Sequence, residues 1–233
     1  YFHTGRTTLP SAVPDVSKGK LLLYIHGAGS NGHFAHKLLD GLSAKHSPLS
    51  FDFPGHGRSS GTESLKSVTA YSDFVYAFWK KLAVRPAVLI GHSMGGAIAM
   101  DLAPRHADMV ESLILTPTAA KFSIPEDRVK IWEQVMKGRA GQPFTKDACS
   151  PATPMNIIQE GWGEQIKTDP RVRYFDLAAC REVNLSGQLG QIRKPTLVLA
   201  GQDDAATTVA QSELIRDGIP GAKLVVIPQA GHW

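Results

Sequence analysis

The sequence predicts an α/β fold in which a mostly parallel central sheet carries helices on both faces. Three observations support this. Short runs of Val, Ile and Leu alternate with amphipathic stretches along most of the chain, as strands joined by crossover helices do. Most of those runs are apolar throughout, as expected of strands covered on both faces. Finally, Gly91-His92-Ser93-Met94-Gly95 lies between the apolar Ala87-Val88-Leu89-Ile90 and the small-residue stretch Gly96-Ala97-Ile98-Ala99, so a strand must turn sharply into a helix around a serine.

Strands are expected over residues 20–25, 47–53, 87–90, 110–116, 195–200 and 223–228, and helices over 33–45, 68–84, 94–105 and 207–217. In the second helix, Tyr71, Phe74, Val75, Phe78 and Leu82 recur at helical spacing and mark one buried face. The third opens Met94-Gly95-Gly96-Ala97, small enough for its first turn to approach the sheet closely. The alternation stops between Thr118 and Leu189. A connection that long within a compact domain is not expected to lack structure. Ser123 and Glu126, three residues apart, have the spacing of a capping box. They would open a helix with Val129, Trp132, Val135 and Met136 on one side. Residues 118–189 are therefore expected to form a helical cap, and residues 1–117 with 190–233 the core. Cap residues Trp132 and Trp162 are candidates for lining an apolar substrate pocket; Phe144, Tyr174 and Phe175 are the other aromatics available to it.

Composition excludes several classes. The 233 residues are 42% hydrophobic and 20% charged with a net charge of +4, and the basic residues are scattered, so no nucleic-acid site is expected. No apolar run reaches the roughly 18–20 residues of a membrane span. Cys149 and Cys180 are the only cysteines. They are read as free thiols, which favours a reducing, cytoplasmic compartment. The glycine-rich loops carry neither a Walker lysine nor a dinucleotide fingerprint. His33 and His36 can share a helix face, but two histidines without a third ligand make a poor metal site. No cofactor and no metal are expected.

The chemistry collects at strand ends. A serine hydroxyl needs a base within hydrogen-bond reach, and that base needs a third group to orient it. Ser93 follows one strand, Gly201-Gln202-Asp203-Asp204 follows another, and Gln229-Ala230-Gly231-His232 follows the last. In an open parallel sheet, functional groups gather beyond the C-terminal strand ends. Ser93, one of the two aspartates and His232 are therefore expected on one rim. Asp52 and the Gly55-His56-Gly57 turn are read as structural, a carboxylate anchoring the amides of a glycine-shaped loop. His92 is expected to pack near the site without moving protons.

In these features the sequence resembles the serine hydrolases of the α/β-hydrolase superfamily, in the branch that carries a helical cap before the acid-bearing strand. The resemblance spans nearly the whole chain. It includes His26-Gly27-Ala28-Gly29, Asp52-Phe53-Pro54-Gly55-His56-Gly57-Arg58-Ser59, the serine turn, Ile219-Pro220-Gly221-Ala222 and Ala230-Gly231-His232. It implies Ser93 as nucleophile, His232 as general base and acid, and Asp204 as the orienting acid, with Asp203 the alternative. It implies the backbone amides of Ala28 (or Gly29) and Met94 as the oxyanion hole. The superfamily also has a leading antiparallel hairpin, of which Tyr1-Phe2-His3-Thr4 would be a remnant, and a helix beyond the catalytic histidine. The chain opens at Tyr1 and ends at Trp233, so trimmed ends are expected.

The function implied is carboxylic ester hydrolysis through an acyl-enzyme, on a small substrate with an apolar portion. Lactonase, thioesterase, acyltransferase, perhydrolase and carbon–carbon hydrolase chemistry could run on the same triad. A ligand-binding receptor on a hydrolase scaffold is the alternative outside enzymology. Oligomeric state is not readable from the sequence.

Overall fold

A computed structural model describes residues 2–3, 16–144 and 146–233 of the chain. Its strands are β1 (Phe2–His3), β2 (Leu21–Ile25), β3 (Ser47–Ser50), β4 (Ala87–His92), β5 (Val110–Thr116), β6 (Thr196–Gly201) and β7 (Lys223–Ile227). They form one seven-stranded sheet in the order β1-β3-β2-β4-β5-β6-β7. Every pairing is parallel except β1 with β3. Phe2 and His3 thus supply an antiparallel edge; Tyr1 and Thr4 lie outside the described residues. The helices are α1 (His36–Ser43), α2 (Val68–Leu82), α3 (Met94–Arg105), α4 (Glu126–Met136), α5 (Met155–Gln165), α6 (Pro170–Glu182) and α7 (Val209–Gly218).

The strand period of two decides which helices each residue meets. On β2, Leu21, Leu23 and Ile25 join the large core with Leu89 of β4, the Tyr71 and Val75 stripe of α2 and most of α3. The intervening Leu22 and Tyr24 point the other way, onto Val88, Ile90 and Leu39 of α1. Each such side chain, fully buried, contributes about 1.5–3 kcal/mol, so the sheet is anchored from both faces at its centre. Strand β7 differs. It lies at the edge of the sheet, with Val225, Val226 and Ile227 48%, 41% and 42% exposed.

Three local expectations are corrected. The strand from residue 47 stops at Ser50 because the backbone then leaves the ladder: the Phe53 amide donates to His26 Nε2 at 3.2 Å instead of to a neighbouring strand. The helix expected from residue 33 is two pieces, a 3₁₀ turn over Gly32–Ala35 and then α1. The Asn31 side chain caps the turn by accepting from the amides of His33 and Phe34. The helix expected to be boxed by Ser123 begins only at Glu126, after Pro125, and no side chain caps it. A residue preceding proline is steered away from helical torsions, which holds Ile124 out of the helix and leaves Ser123 too far upstream to cap. A capping box does occur on α7, where Thr208 and Gln211 satisfy each other's amides.

Candidate active site

Ser93 stands at the end of β4 with φ 55° and ψ −121°, a left-handed φ that costs a non-glycine residue of order 1–3 kcal/mol. The surroundings hold it there. Its amide donates to Pro117 O at 2.9 Å, and its carbonyl accepts from the Thr118 hydroxyl at 2.6 Å and the Gly96 amide at 2.9 Å. The flanking glycines are required by close approach: a Cβ at Gly91 would meet Gly95 O at 2.5 Å, and one at Gly95 would collide with Ile25 O. The tight strand–helix turn read from the sequence is present, with the serine half-buried at its apex.

The acid and the imidazole meet behind it. His232 Nδ1 donates to Asp204 Oδ2 at 2.9 Å, and both residues are buried. The Asp204 carboxylate also accepts from the amides of Ala206 and Thr207 and from the Thr207 hydroxyl, at 2.7–2.8 Å. Burial alone would raise its carboxyl, but the hydrogen bond and charge of His232, with the Thr207 donors, outweigh burial and hold it below the usual carboxylate range. Asp203 points elsewhere: it is exposed and accepts from Ser150 Oγ at 2.6 Å. Of the two aspartates left open by the sequence, Asp204 is the one that faces the ring. Residues 148–150 brace both loops, since Ala148 O accepts from the amides of His232 and Trp233 at 2.7 and 3.2 Å.

Ser93 and His232 line the same cavity of about 200 Å³. Among the described residues no hydrogen bond joins the Ser93 hydroxyl to the ring. Such bonds are often long in unliganded sites and shorten when substrate binds. His92 touches the pair without entering it. Its Nε2 donates to His232 O at 2.8 Å, and its Nδ1 is buried without a partner. Burial first, then the neighbouring His232, pulls its pKa down to about 4. A neutral ring in that position adds no charge against an imidazolium forming on His232, 4.9 Å away centroid to centroid.

The loop carrying Ala28 packs its Gly27 onto Ser93, where an added Cβ would fall 2.9 Å from Ser93 Cβ. His26 fixes this loop from beneath. Its Nε2 accepts from Phe53, so Nδ1 carries the proton and donates to Gly27 O at 2.9 Å. Burial, then the charge on His56, pushes its pKa down to about 3. Gly29 is not available as an oxyanion donor, because its amide donates to Asp176 Oδ2 at 2.9 Å. Among the described residues the amides of Ala28 and Met94 have no protein acceptor.

Asp176 of α6, which no sequence pattern indicated, is the hub of a buried polar cluster. Its carboxylate accepts from the Tyr71 hydroxyl at 2.5 Å, Ser64 Oγ at 2.8 Å, His56 Nε2 at 2.7 Å and the Gly29 amide. His56 Nδ1 faces Pro54 O at 3.0 Å. Both ring nitrogens thus face oxygen acceptors, which makes His56 an imidazolium paired with Asp176. Burial works against both charges, but their mutual attraction and hydrogen bond outweigh it, raising His56 and lowering Asp176. Asp52 has the structural place expected of it, accepting from the amides of Gly32 at 2.7 Å and Arg58 at 2.9 Å.

Trp132 and Trp162 do not reach the serine. They line an adjoining cavity, Trp132 beneath the Arg173 guanidinium and Trp162 edge-on to Phe144. The cavity that Ser93 lines is walled instead by Phe34, Phe122, Ile124, Leu177 and Trp233, and Arg128, Gln165 and Arg173 add polar groups to its lining. Among the described residues there is no cluster of three or more metal-ligating side chains, and no helix is long and apolar enough to cross a membrane.

Comparison with known proteins fits this geometry. Residues 22–233 match the model of the alpha/beta hydrolase family. The chain is 28% identical to a pimeloyl-[acyl-carrier protein] methyl ester esterase of Neisseria meningitidis serogroup C, over 97% of this chain and 90% of that protein. It is 34% identical to the magnesium-chelatase 30 kDa subunit of Rhodobacter capsulatus, over 92% of this chain and 81% of that one. Among solved structures, a thermophilic esterase from Thermogutta terrifontis superposes with a TM-score of 0.84 at 25% identity, covering 97% of this chain and 89% of that chain.

Proposed function

The chain belongs to the alpha/beta hydrolase family, and from that premise we propose that it hydrolyses small carboxylic esters through an acyl-enzyme. Ser93 is the nucleophile, His232 the base and then the acid, Asp204 the group that orients His232, and the amides of Ala28 and Met94 the oxyanion donors. The observation that carries this reading is the buried 2.9 Å contact between His232 Nδ1 and Asp204 Oδ2 beside a serine held at positive φ in the same cavity. A carboxylate on Nδ1 leaves Nε2 free to accept the serine proton and stabilises the imidazolium that results.

The steps follow from that arrangement. His232 takes the Ser93 proton as the oxygen attacks the ester carbonyl, and the two amides receive the developing negative charge. Losing one such donor typically costs about 2.7–4 kcal/mol of transition-state stabilisation. The protonated His232 gives its proton to the departing alcohol, then removes one from water as the acyl group is released. Residues 118–189 act as the cap: Phe122, Ile124 and Leu177 furnish an apolar wall for the acyl or alcohol arm. The relatives carry differing names, so the substrate class rests on this cavity.

Turnover of p-nitrophenyl butyrate tests the proposal. Ser93→Ala should reduce kcat by roughly 10⁴–10⁶-fold with an unchanged circular-dichroism spectrum, on the scale of triad deletions in subtilisin. A fluorophosphonate should abolish the burst of p-nitrophenol and leave one adduct on Ser93. Retained activity in Ser93→Ala would remove the serine from its role. Tight ligand binding with neither burst nor adduct would point to a receptor instead.

A further inference from the structure

Two guanidinium groups border the Ser93 cavity, and among the described residues neither forms an ion pair with a carboxylate. Arg173, on α6, crosses the oxyanion loop: its Cγ and Cδ occupy the space a Cβ on Gly29 would need. Beyond that contact the guanidinium stacks on Trp132 at 4.2 Å and donates from Nη1 to Gln165 Oε1 at 2.6 Å. That uses one of its five N–H donors. Its Nε is buried with no partner at all. Arg128, on α4, lines the same cavity, and its side chain forms no ion pair among the described residues.

Two like charges side by side in a half-enclosed space are unfavourable, and arginine is rarely buried without a counter-charge. Arg173 nonetheless stays cationic at neutral pH, since burial first and Arg128 second bring it down only to about 10. Asp176 is the acid nearest on its own helix, but four other donors already occupy that carboxylate. Among the described residues no acidic side chain lines the cavity around Ser93. Asp127 and Asp147 line the adjoining cavity, which Arg128 and Arg173 also border, and among the described residues neither carboxylate forms an ion pair with a guanidinium.

Resting on the ester reading above, we infer that the substrate arm carries a terminal carboxylate, received by Arg173 and Arg128 while its ester carbonyl lies against Ser93. A guanidinium fork suits a planar carboxylate by two parallel hydrogen bonds. The apolar wall of Phe122, Ile124 and Leu177 fits the methylenes of a short chain between the two ends. The substrate class is then a half-ester of a short dicarboxylic acid, or an ester whose alcohol bears an acid.

Mono-p-nitrophenyl glutarate against p-nitrophenyl butyrate gives the test, read as the ratio of their kcat/KM values. The wild type should favour the glutarate. Arg173→Met should lower the ratio by about 10–100-fold, as expected for losing hydrogen bonds to a charged group, and Arg128→Met by a smaller factor. Arg173→Lys keeps the stem over Gly29 and the charge but loses the fork, so it should fall between wild type and Arg173→Met. A ratio unmoved in both methionine variants overturns the inference. Glutarate binding to Ser93→Ala protein separates this outcome from failure of the ester reading. Glutarate should raise the melting temperature of that protein, and the rise should vanish when Arg173→Met is added. Tighter inhibition by inorganic phosphate than by glutarate overturns the carboxylate assignment.

Discussion

Asp176→Asn changes no volume and lies outside the proposed triad, so its effect isolates what the buried cluster contributes. Asp176 accepts four hydrogen bonds, two at each oxygen. An amide can accept at only one of its two ends. With the nitrogen toward Gly29 and His56, the Gly29 amide faces another donor. With the nitrogen toward Tyr71 and Ser64, those hydroxyls can rotate to accept, but His56 keeps only a neutral acceptor for its charge. Either way one strong contact is lost. Removing a partner of a buried ion pair costs about 3–5 kcal/mol, and losing one hydrogen bond to a charged group about 1.5–3. His56 can release its proton and soften the loss, so about 2–4 kcal/mol is expected in urea unfolding at neutral pH. The Gly29 amide adjoins that of Ala28, so in the first orientation its lost acceptor, and in the second its weaker neutral one, loosens the loop where the oxyanion would bind. Full loss of one oxyanion donor lowers kcat about 10²–10³-fold; a mispositioned donor should give about 10–100-fold, in kcat more than KM, on p-nitrophenyl butyrate. A stability change under about 0.5 kcal/mol, or a kcat equal to wild type, would refute the reasoning that α6 positions the loop.

The neighbouring aspartates should separate cleanly. Asp204→Asn should lower kcat by about 10⁴-fold, because an amide presents the wrong tautomer to His232, while Asp203→Asn should stay within about threefold; the reverse ranking in steady-state kinetics would exchange their roles. Stability should be greatest near pH 6–7 in thermal melts from pH 4.5 to 9. Below about pH 6.5 the unfolded chain protonates His26 and His92, whereas the fold holds them neutral to about 3 and about 4, so each costs up to about 1.4 kcal/mol per unit of falling pH. Above about pH 6.5 the raised His56 keeps a proton that the unfolded chain releases, so stability declines as pH rises toward its folded value; a melting temperature that still climbs from pH 6.5 to 9 would contradict the His56 assignment, and one that does not fall between pH 6 and 4.5 would contradict that of His26 and His92.

What could be read from the sequence is what short-range pattern determines. The strand, the serine turn and the small-residue helix are contiguous, so their geometry follows from local sterics. Asp204 and His232 each follow a strand directly, and parallel topology brings those ends to one rim. The contacts missed are of another kind. Asp176 and Gly29 are 147 residues apart in the chain, and nothing in either neighbourhood distinguishes that carboxylate from a solvated one. Trp132 illustrates the same limit. Helical period places it on the buried side of α4, and it is buried, 5% exposed. Which wall it meets depends on α6, whose Arg173 covers it. Ser123 shows a local signal defeated by a stronger one, since the spacing of a capping box is present and Pro125 moves the helix start beyond it.

Two residues of α6 meet the same loop. Arg173 lays its stem on Gly29, and Asp176, three positions on, accepts the amide of that glycine. Residues three apart share a helix face, so a small shift of α6 moves both contacts together. Under the proposed function one contact sets where the oxyanion amide sits and the other where the carboxylate of the substrate would bind. The two ends of the substrate are then gauged by one rigid element, and a chain of the wrong length would disturb the helix and the amide at once. Discrimination among acyl lengths should accordingly fall on kcat as well as KM. Selectivity arising from the apolar wall alone would act mainly through binding, because uniform contacts lower KM without accelerating the chemical step.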